Sequence, residues 1–367
     1  MSADFTHVAI IGVGVIGGSL GLSLKRKHPE MRILGVSRPQ TLDEALELGA
    51  IDRGFTREEM GEAAAQSDLV FVCAPISNIL ELLPALSEAV RPKTLVSDVG
   101  STKRLIVETA AGYFRGDKYF VGGHPMAGNE GRGVSWADPL LFENAVYVLT
   151  PASGVPGDIT NRFGQLLESI GAKVLLLDPA THDRIAAAVS HLPQILAVTL
   201  MNYVASLQKD SATCLRLAAG GFRDMTRIAS SPFDMWRDVF STNREEIGTR
   251  IDGFIDALKT MKSGLVSEEM EEIFRLSAAG RLSIPRDTKG FMRPNFDMTV
   301  QVEDKPGVIA AISTVLAGES INIKDIEVLK VREGDSGMIR LAFESEAERL
   351  RAKELLSRTG YHGQIKK

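Results

Sequence analysis

Cysteine is nearly missing from this chain: Cys73 and Cys214 are the only two in 367 residues, and neither sits in CxxC or Cys/His spacing. That excludes a disulfide framework and a structural zinc site, and no metal is expected. A reducing compartment follows. Long apolar runs are missing too, since none approaches the ~20 residues of a membrane span. A strand pattern starts within a few residues of Met1, leaving no room for a signal peptide. The expected location is the cytoplasm, with no membrane partner. Positive charge is also scarce: the formal net charge is −5 and no Lys/Arg block interrupts it, which argues against a nucleic-acid partner. With 44% hydrophobic and 24% charged residues the chain is globular rather than disordered, and its length calls for two or three domains.

What is present begins with Val8-Ala-Ile-Ile-Gly12-Val-Gly14-Val-Ile-Gly17-Gly18, an apolar strand that runs into G-x-G-x-x-G and then into an amphipathic segment. This order is the one a dinucleotide fold requires. Gly12 allows the tight turn, Gly14 lets backbone N–H groups approach a pyrophosphate, and Gly17 permits close helix–strand packing. The N–H groups of Val15 and Ile16 open the helix that faces the phosphates. After the second strand, Ser37-Arg38 stands where an NAD site usually presents an acidic residue to the ribose. Either Ser37 and Arg38 hold a 2′-phosphate or Arg38 is a solvated loop cation, so NAD and NADP both remain open.

Residues 7–178 alternate apolar runs (His7–Ile11, Arg32–Val36, 69–73, 94–97, 119–121, 145–149 and Lys173–Leu176) with helical patterns such as 77–90 and 103–113. Such alternation predicts a mostly parallel, doubly wound Rossmann-like sheet, an α/β domain over 1–178. From 179 to 284 the apolar period is three to four residues, which predicts an all-α domain with a continuous helical core and a cleft between it and the sheet. Residues 285–295 mix Pro, Gly and charge and read as a linker. Residues 296–367 read as strand 296–302, helix 306–316, strands 322–331 and 338–343, helix 346–356 and a last strand at 363–365, a ferredoxin-like βαββαβ plan.

Several residues can carry chemistry. Val121-Gly-Gly-His124-Pro-Met-Ala-Gly128 places His124 in a glycine-rich loop, where it can work on a substrate proton. In Ser97-Asp98-Val-Gly-Ser101-Thr102-Lys103, the hydroxyls either face the nicotinamide end of a cofactor or Ser101 or Thr102 caps the next helix. His191, in Ser190-His191-Leu-Pro-Gln194, is either a pocket residue or a satisfied core histidine. Arg223 and Arg227, around Asp224, share one helical face suited to a carboxylate substrate, unless they form a surface ion pair. Asn129-Glu130 either gates the cleft or is solvated.

The motifs G-x-G-x-x-G-G-S, D-V-G-S-T-K, G-G-H-P-M-A-G, S-H-L-P, G-G-F-R-D-M-T-R-I-A and M-W-R-D, in this order over residues 7 to about 283, closely resemble the prephenate dehydrogenase family, the oxidative enzymes of tyrosine biosynthesis. The tail from Phe296 to about Ile365, with Asp304-Lys-Pro-Gly307-Val, resembles an ACT domain, a small-molecule regulatory module. The resemblance implies that His124 accepts the proton of the substrate's 4-hydroxyl and that Ser101 contacts this hydroxyl and orders the nicotinamide. It further implies that Arg227 binds a substrate carboxylate within a polar network of Asp224, Glu130 and Asn129, that His191 lines the pocket, and that Trp236 packs nearby. The substrate is then prephenate, or arogenate as the alternative. Tyrosine is the implied effector, with Asp304, Gly307 and Asn322 at its site, and a homodimer is expected. The chain departs from the family at Gln194, where a histidine is frequent, which puts one auxiliary contact in doubt. A ligand sensor with a vestigial enzyme half is the competing class.

Overall fold

The strand His7–Ile11 (β1) shows why its sequence is an unbroken apolar run. Val8 and Ile10 enter one core with Leu20, Leu24 and Phe163, while Ala9 and Ile11 enter another with Ile79, Leu83 and Ile106. A strand covered on both faces has no polar side to alternate with. The computed structural model describes residues 5–128, 131–207, 211–267, 269–283, 296–303, 305–331 and 337–365. It divides into two units, Met1–Ser277 and Ala278–Lys367. The expected linker at 285–295 lies outside the described residues.

In the first unit β1 is joined by Arg32–Val36 (β2), Arg53–Phe55 (β3), Leu69–Val72 (β4), Leu95–Asp98 (β5), Tyr119–Pro125 (β6), Val146–Pro151 (β7) and Lys173–Leu176 (β8). The eight-stranded sheet is ordered β3-β2-β1-β4-β5-β6-β7-β8. Strands β1 to β6 pair in parallel, β7 lies antiparallel to β6, and β8 is parallel to β7. This is the Rossmann-like order, with its switch point between β1 and β4, where sheets of this kind bind ligands beyond the strand ends. Strand β3 escaped the periodicity because it has three residues and only Phe55 is buried. Gly12 has φ +94°, and a Cβ on it would come 2.1 Å from the Cys73 carbonyl oxygen at the end of β4. The helix Val15–Lys27 comes so close to the same turn that a Cβ on Gly17 would lie 2.2 Å from the Gly12 carbonyl oxygen.

His124 is not in a loop. It is the penultimate residue of β6 and pairs with Val148 of β7. The preceding glycines serve close packing rather than a turn: a Cβ on Gly122 would meet Thr150 Oγ1 at 2.4 Å, and one on Gly123 the Asp98 carbonyl oxygen at 2.5 Å.

Beyond the sheet come the helices Pro179–Ala186, Leu192–Ala205, Ser211–Leu217, Gly220–Thr226, Phe233–Thr242, Arg244–Ser263 and Glu269–Ser283. A π turn, Ala187–His191, joins the first two. The resulting helix Pro179–Ala205 is 27 residues long and apolar enough by length and composition to cross a membrane, although polar residues interrupt it and leave no unbroken apolar run of that length. His182 and Asp183 on it are buried and bonded to sheet-half elements, while 28% of its apolar window is buried. The expected continuous helical core is not found. Among the described residues Ala186, Ala187, Ala197, Val239 and Ile247 are this region's buried apolar side chains, and Ala187, Val239 and Ile247 join the core under one face of the sheet. Tyr203, Leu217, Phe233 and Phe274 stay exposed.

The second unit contains Phe296–Val302 (β9), the helix Val308–Gly318, Asp325–Val331 (β10), Gly337–Phe343 (β11), the helix Glu346–Arg358 and His362–Gln364 (β12). Its antiparallel sheet runs β10-β11-β9-β12, the expected ferredoxin-like βαββαβ plan. Met298, Val300, Ile312, Leu316, Leu341 and Phe343 form its core. Gly307, at φ +89°, precedes the first helix, and Asn322 is exposed ahead of β10. Asp304 lies outside the described residues.

Gly17→Ala is expected to cost about 1–3 kcal/mol by forcing helix and turn apart. Urea unfolding checks it, and an unchanged midpoint would disprove the close approach.

Candidate active site

Among the strand-following helices that begin without a side-chain cap of their own are Ile76–Ala89 after β4 and Arg104–Tyr113 after β5. Carboxylates from the helical half supply what is missing. Asp238 Oδ2 accepts from Ser77 N at 2.8 Å. Asp183 accepts from Lys103 N through Oδ1 at 2.7 Å and from Arg104 N through Oδ2 at 3.0 Å. Neither Ser101 nor Thr102 is the helix cap. Thr102 Oγ1 instead lies 2.8 Å from Thr242 Oγ1, another link between the halves. Helix N-termini hold unsatisfied N–H groups and partial positive charge, so an anionic carboxylate is the fitting partner.

The buried ends of β5 and β6 are tied by a third acidic residue. Asp98 accepts from Gly100 N at 2.8 Å and Gly123 N at 3.1 Å, and forms a fully buried ion pair with Lys103. This fixes the turn carrying Ser101 on one side and His124 on the other. From His124 the bonding continues into the helical half: His124 Nδ1 lies 2.8 Å from His182 Nε2, and His182 Nδ1 lies 2.7 Å from Asp183 Oδ1. The two rings meet edge to face with centroids 5.0 Å apart. Asn243 Nδ2 donates to the Asp183 carbonyl at 2.8 Å and to His191 Nδ1 at 3.2 Å, bringing His191 into the same network. Trp236 stands edge-on to His191 at 6.0 Å. A cavity of about 430 Å³ is lined by Asp183, Asn243, Arg104 and Glu245, but not by His124.

Burial keeps His124 and His191 neutral. It pushes His124 well below the usual histidine range, and the charges of His182, Lys103 and His191 act in the same direction. His191 is lowered to about 4, chiefly by burial and against the pull of Asp183. Burial also lowers the Lys103 ammonium, opposed by the Asp98 carboxylate paired with it. A neutral histidine is a competent proton acceptor at neutral pH.

At the other end of the crevice, Gly14 is the uncapped residue ahead of Val15–Lys27, and a Cβ on it would meet nothing within 4 Å. Open space before the N–H groups of Val15, Ile16 and Gly17 fits a phosphate cradle. Ser37 is half-buried and Arg38 exposed at the end of β2, with no acidic residue there. The α-helix carrying Arg223 and Asp224 stops at Thr226, so Arg227 opens a 3₁₀ turn. Arg223, Asp224 and Arg227 are exposed. Gln194 clips this turn to the helix that follows His191, donating through Nε2 to the Ile228 carbonyl at 3.0 Å. Asn129 and Glu130 lie outside the described residues. The sequence reading missed His182, Asp183, Asn243 and Asp238; the adjacent His182-Asp183 at the start of a helix was the available signal.

The prephenate dehydrogenase nucleotide-binding domain matches residues 20–176, the prephenate dehydrogenase dimerization domain residues 178–278, and an AHAS small subunit-like ACT domain residues 298–357. The chain is 34% identical to prephenate dehydrogenase of Bacillus subtilis, covering 95% of each chain. It is similar to the crystal structure of prephenate dehydrogenase from A. aeolicus in complex with hydroxyphenyl propionate and NAD+, with TM-score 0.72, 31% identity, and coverage of 78% of this chain and 100% of that one. Synechocystis arogenate dehydrogenase gives TM-score 0.68 and 29% identity, covering 76% of this chain and 100% of that one.

Because His191 is neutral in the fold and titrates near ~6.5 when unfolded, the unfolded chain binds the extra proton first as pH falls. Stability contributed by this residue is intact above pH ~6.5 and declines toward its folded value of about 4, a loss on the order of 2 kcal/mol by pH ~5. Urea unfolding at pH ~7.5 and ~5 is expected to show a shallower acid dependence for His191→Gln than for the wild type. Equal slopes would contradict the buried neutral state.

Proposed function

Because the chain belongs to the prephenate dehydrogenase family, with an ACT-like C-terminal domain, we propose that it converts prephenate to 4-hydroxyphenylpyruvate by NAD(P)-dependent oxidative decarboxylation in tyrosine biosynthesis. The observation that carries this reading is His124, a buried imidazole kept neutral at the end of β6 beside the Ser101 turn. A dinucleotide held by the Gly12-Val-Gly14-Val15-Ile16-Gly17 turn supplies the hydride acceptor for C4 of the substrate ring. His124 takes the 4-hydroxyl proton, and the ring carboxylate leaves as CO₂ because aromatisation drives its departure. Ser101 orients the hydroxyl, Arg227 binds a carboxylate with Asp224, Asn129 and Glu130 around it, and His191 lines the pocket. Ser37 and Arg38 hold the adenosine ribose, with Arg38 able to accept a 2′-phosphate.

The likeness to an arogenate dehydrogenase supports arogenate as the second substrate reading. Apolar side chains left exposed on the helical region, Phe233 and Leu217 among them, support a homodimer, because burying them against a copy removes apolar surface from water. A cytoplasmic location belongs to the same reading, supported by two unpaired cysteines. The tail takes tyrosine as effector through Asp304, Gly307 and Asn322, supported by its ACT-like plan and the left-handed Gly307 ahead of its first helix.

Prephenate and arogenate assayed against NAD⁺ and NADP⁺ test the activity, and wild-type protein that reduces neither cofactor with either substrate overturns it. His124→Asn is expected to bind dinucleotide normally and lose about 10²–10⁴-fold in kcat; turnover within a few-fold of wild type would remove His124 from its role. A chain ending at Pro294 is expected to lose tyrosine inhibition. Identical inhibition curves for the two lengths would leave product competition at the active site as the explanation.

A further inference from the structure

The bonding from His124 to Asp183 favours one placement of the ring protons. Asp183 accepts two backbone N–H groups, one on each oxygen, the bonding of a carboxylate at a helix N-terminus. His182 Nδ1, 2.7 Å from Oδ1, must donate to it. With one ring proton on His182, placed at Nδ1, its lone pair is on Nε2, and His124 Nδ1, 2.8 Å away, then donates to His182. The lone pair of His124 is then on Nε2. All three side chains are buried, with 8%, 3% and 2% exposure for His124, His182 and Asp183, so water does not compete for these bonds.

We propose that the working base is the His124–His182 pair. As His124 Nε2 takes the proton of the substrate hydroxyl, the Nδ1 proton of His124 passes to His182 Nε2, and the positive charge comes to rest on His182 against the Asp183 carboxylate. The substrate O–H bond breaks as the His124 Nε2–H bond forms; the His124 Nδ1–H bond breaks as the His182 Nε2–H bond forms. No electrons are gained or lost by the protein. The inference rests on the dehydrogenase reading above, and it gives His182 a positioning part that also receives a proton.

The charges around the pair favour this direction. A cation left on His124 has the Lys103 ammonium as a repelling neighbour and no carboxylate in its hydrogen-bond shell among the described residues. A cation on His182 has one at 2.7 Å. The other groups packed around the pair do not change the order: Asp98 is taken up by Lys103 and two backbone N–H groups, and His191 and Asn243 are neutral.

His182→Gln separates the two parts of the role, because a glutamine oxygen still accepts from His124 Nδ1 but takes no proton. Its kcat is expected to fall about 10²-fold with both KM values within a few-fold of wild type. Added imidazole is expected to restore turnover to His182→Gly. In ¹⁵N spectra of the ligand-free wild type, both His124 and His182 are expected to be protonated at Nδ1. A His182→Gln variant with undiminished kcat, a His182→Gly variant that imidazole does not rescue, or His124 protonated at Nε2 overturns the proposal while leaving wild-type turnover in place. Absence of turnover in the wild type overturns the dehydrogenase reading itself.

Discussion

Two carboxylates on the helical half, Asp183 and Asp238, hold this protein's first unit together by serving helices that are not their own. Each strand-following helix they cap starts with N–H groups that nothing local satisfies. Uncapped, those groups would keep no protein partner; capped, they draw negative charge toward the positive end of a helix. Docking and capping are thus the same contact. The placement of His182 follows from it, since His182 is the neighbour of Asp183 in sequence and shares its first turn of helix.

The site's charge is arranged in layers. The innermost ionised pair, Asp98 with Lys103, is buried and closed on itself, with the remaining acceptor capacity of Asp98 spent on Gly100 and Gly123. Breaking such a pair from one side leaves an uncompensated buried charge, a cost of about 3–5 kcal/mol, so the turn bearing Ser101 and the strand bearing His124 are held stiffly. Around it lie imidazoles that burial keeps uncharged. Preorganisation of this kind costs nothing further at the moment a proton moves.

Much of this was legible in the residues and some was not. The bounds of β1, β2 and β8 could be read directly, because apolar runs fenced by polar residues leave little choice. The roles of Gly12 and Gly17 follow equally from a motif whose spacing is geometric. Gly122 and Gly123 misled, since glycine marks turns and close approaches alike, and only the partners Thr150 and Asp98 show which applies. His182 and Asp183 were hidden for a different reason. Their partners lie 58 and 80 residues away, and no local period encodes a bond across that distance. The helical region was read as self-sufficient because its period is regular, yet periodicity says that a face is apolar and nothing about what covers it.

The π turn at Ala187–His191 sets a limit of another kind. Nine residues of regular α-helix rotate through about 900°, which would set positions 182 and 191 on opposite sides of the cylinder. A turn bonded i to i+5 takes in one more residue and gives back about 100°, bringing His191 round to where Asn243 can bridge it to Asp183. The segment is therefore sensitive to length more than to composition: removing one of its residues would turn His191 by about 100° relative to His182 and Asp183.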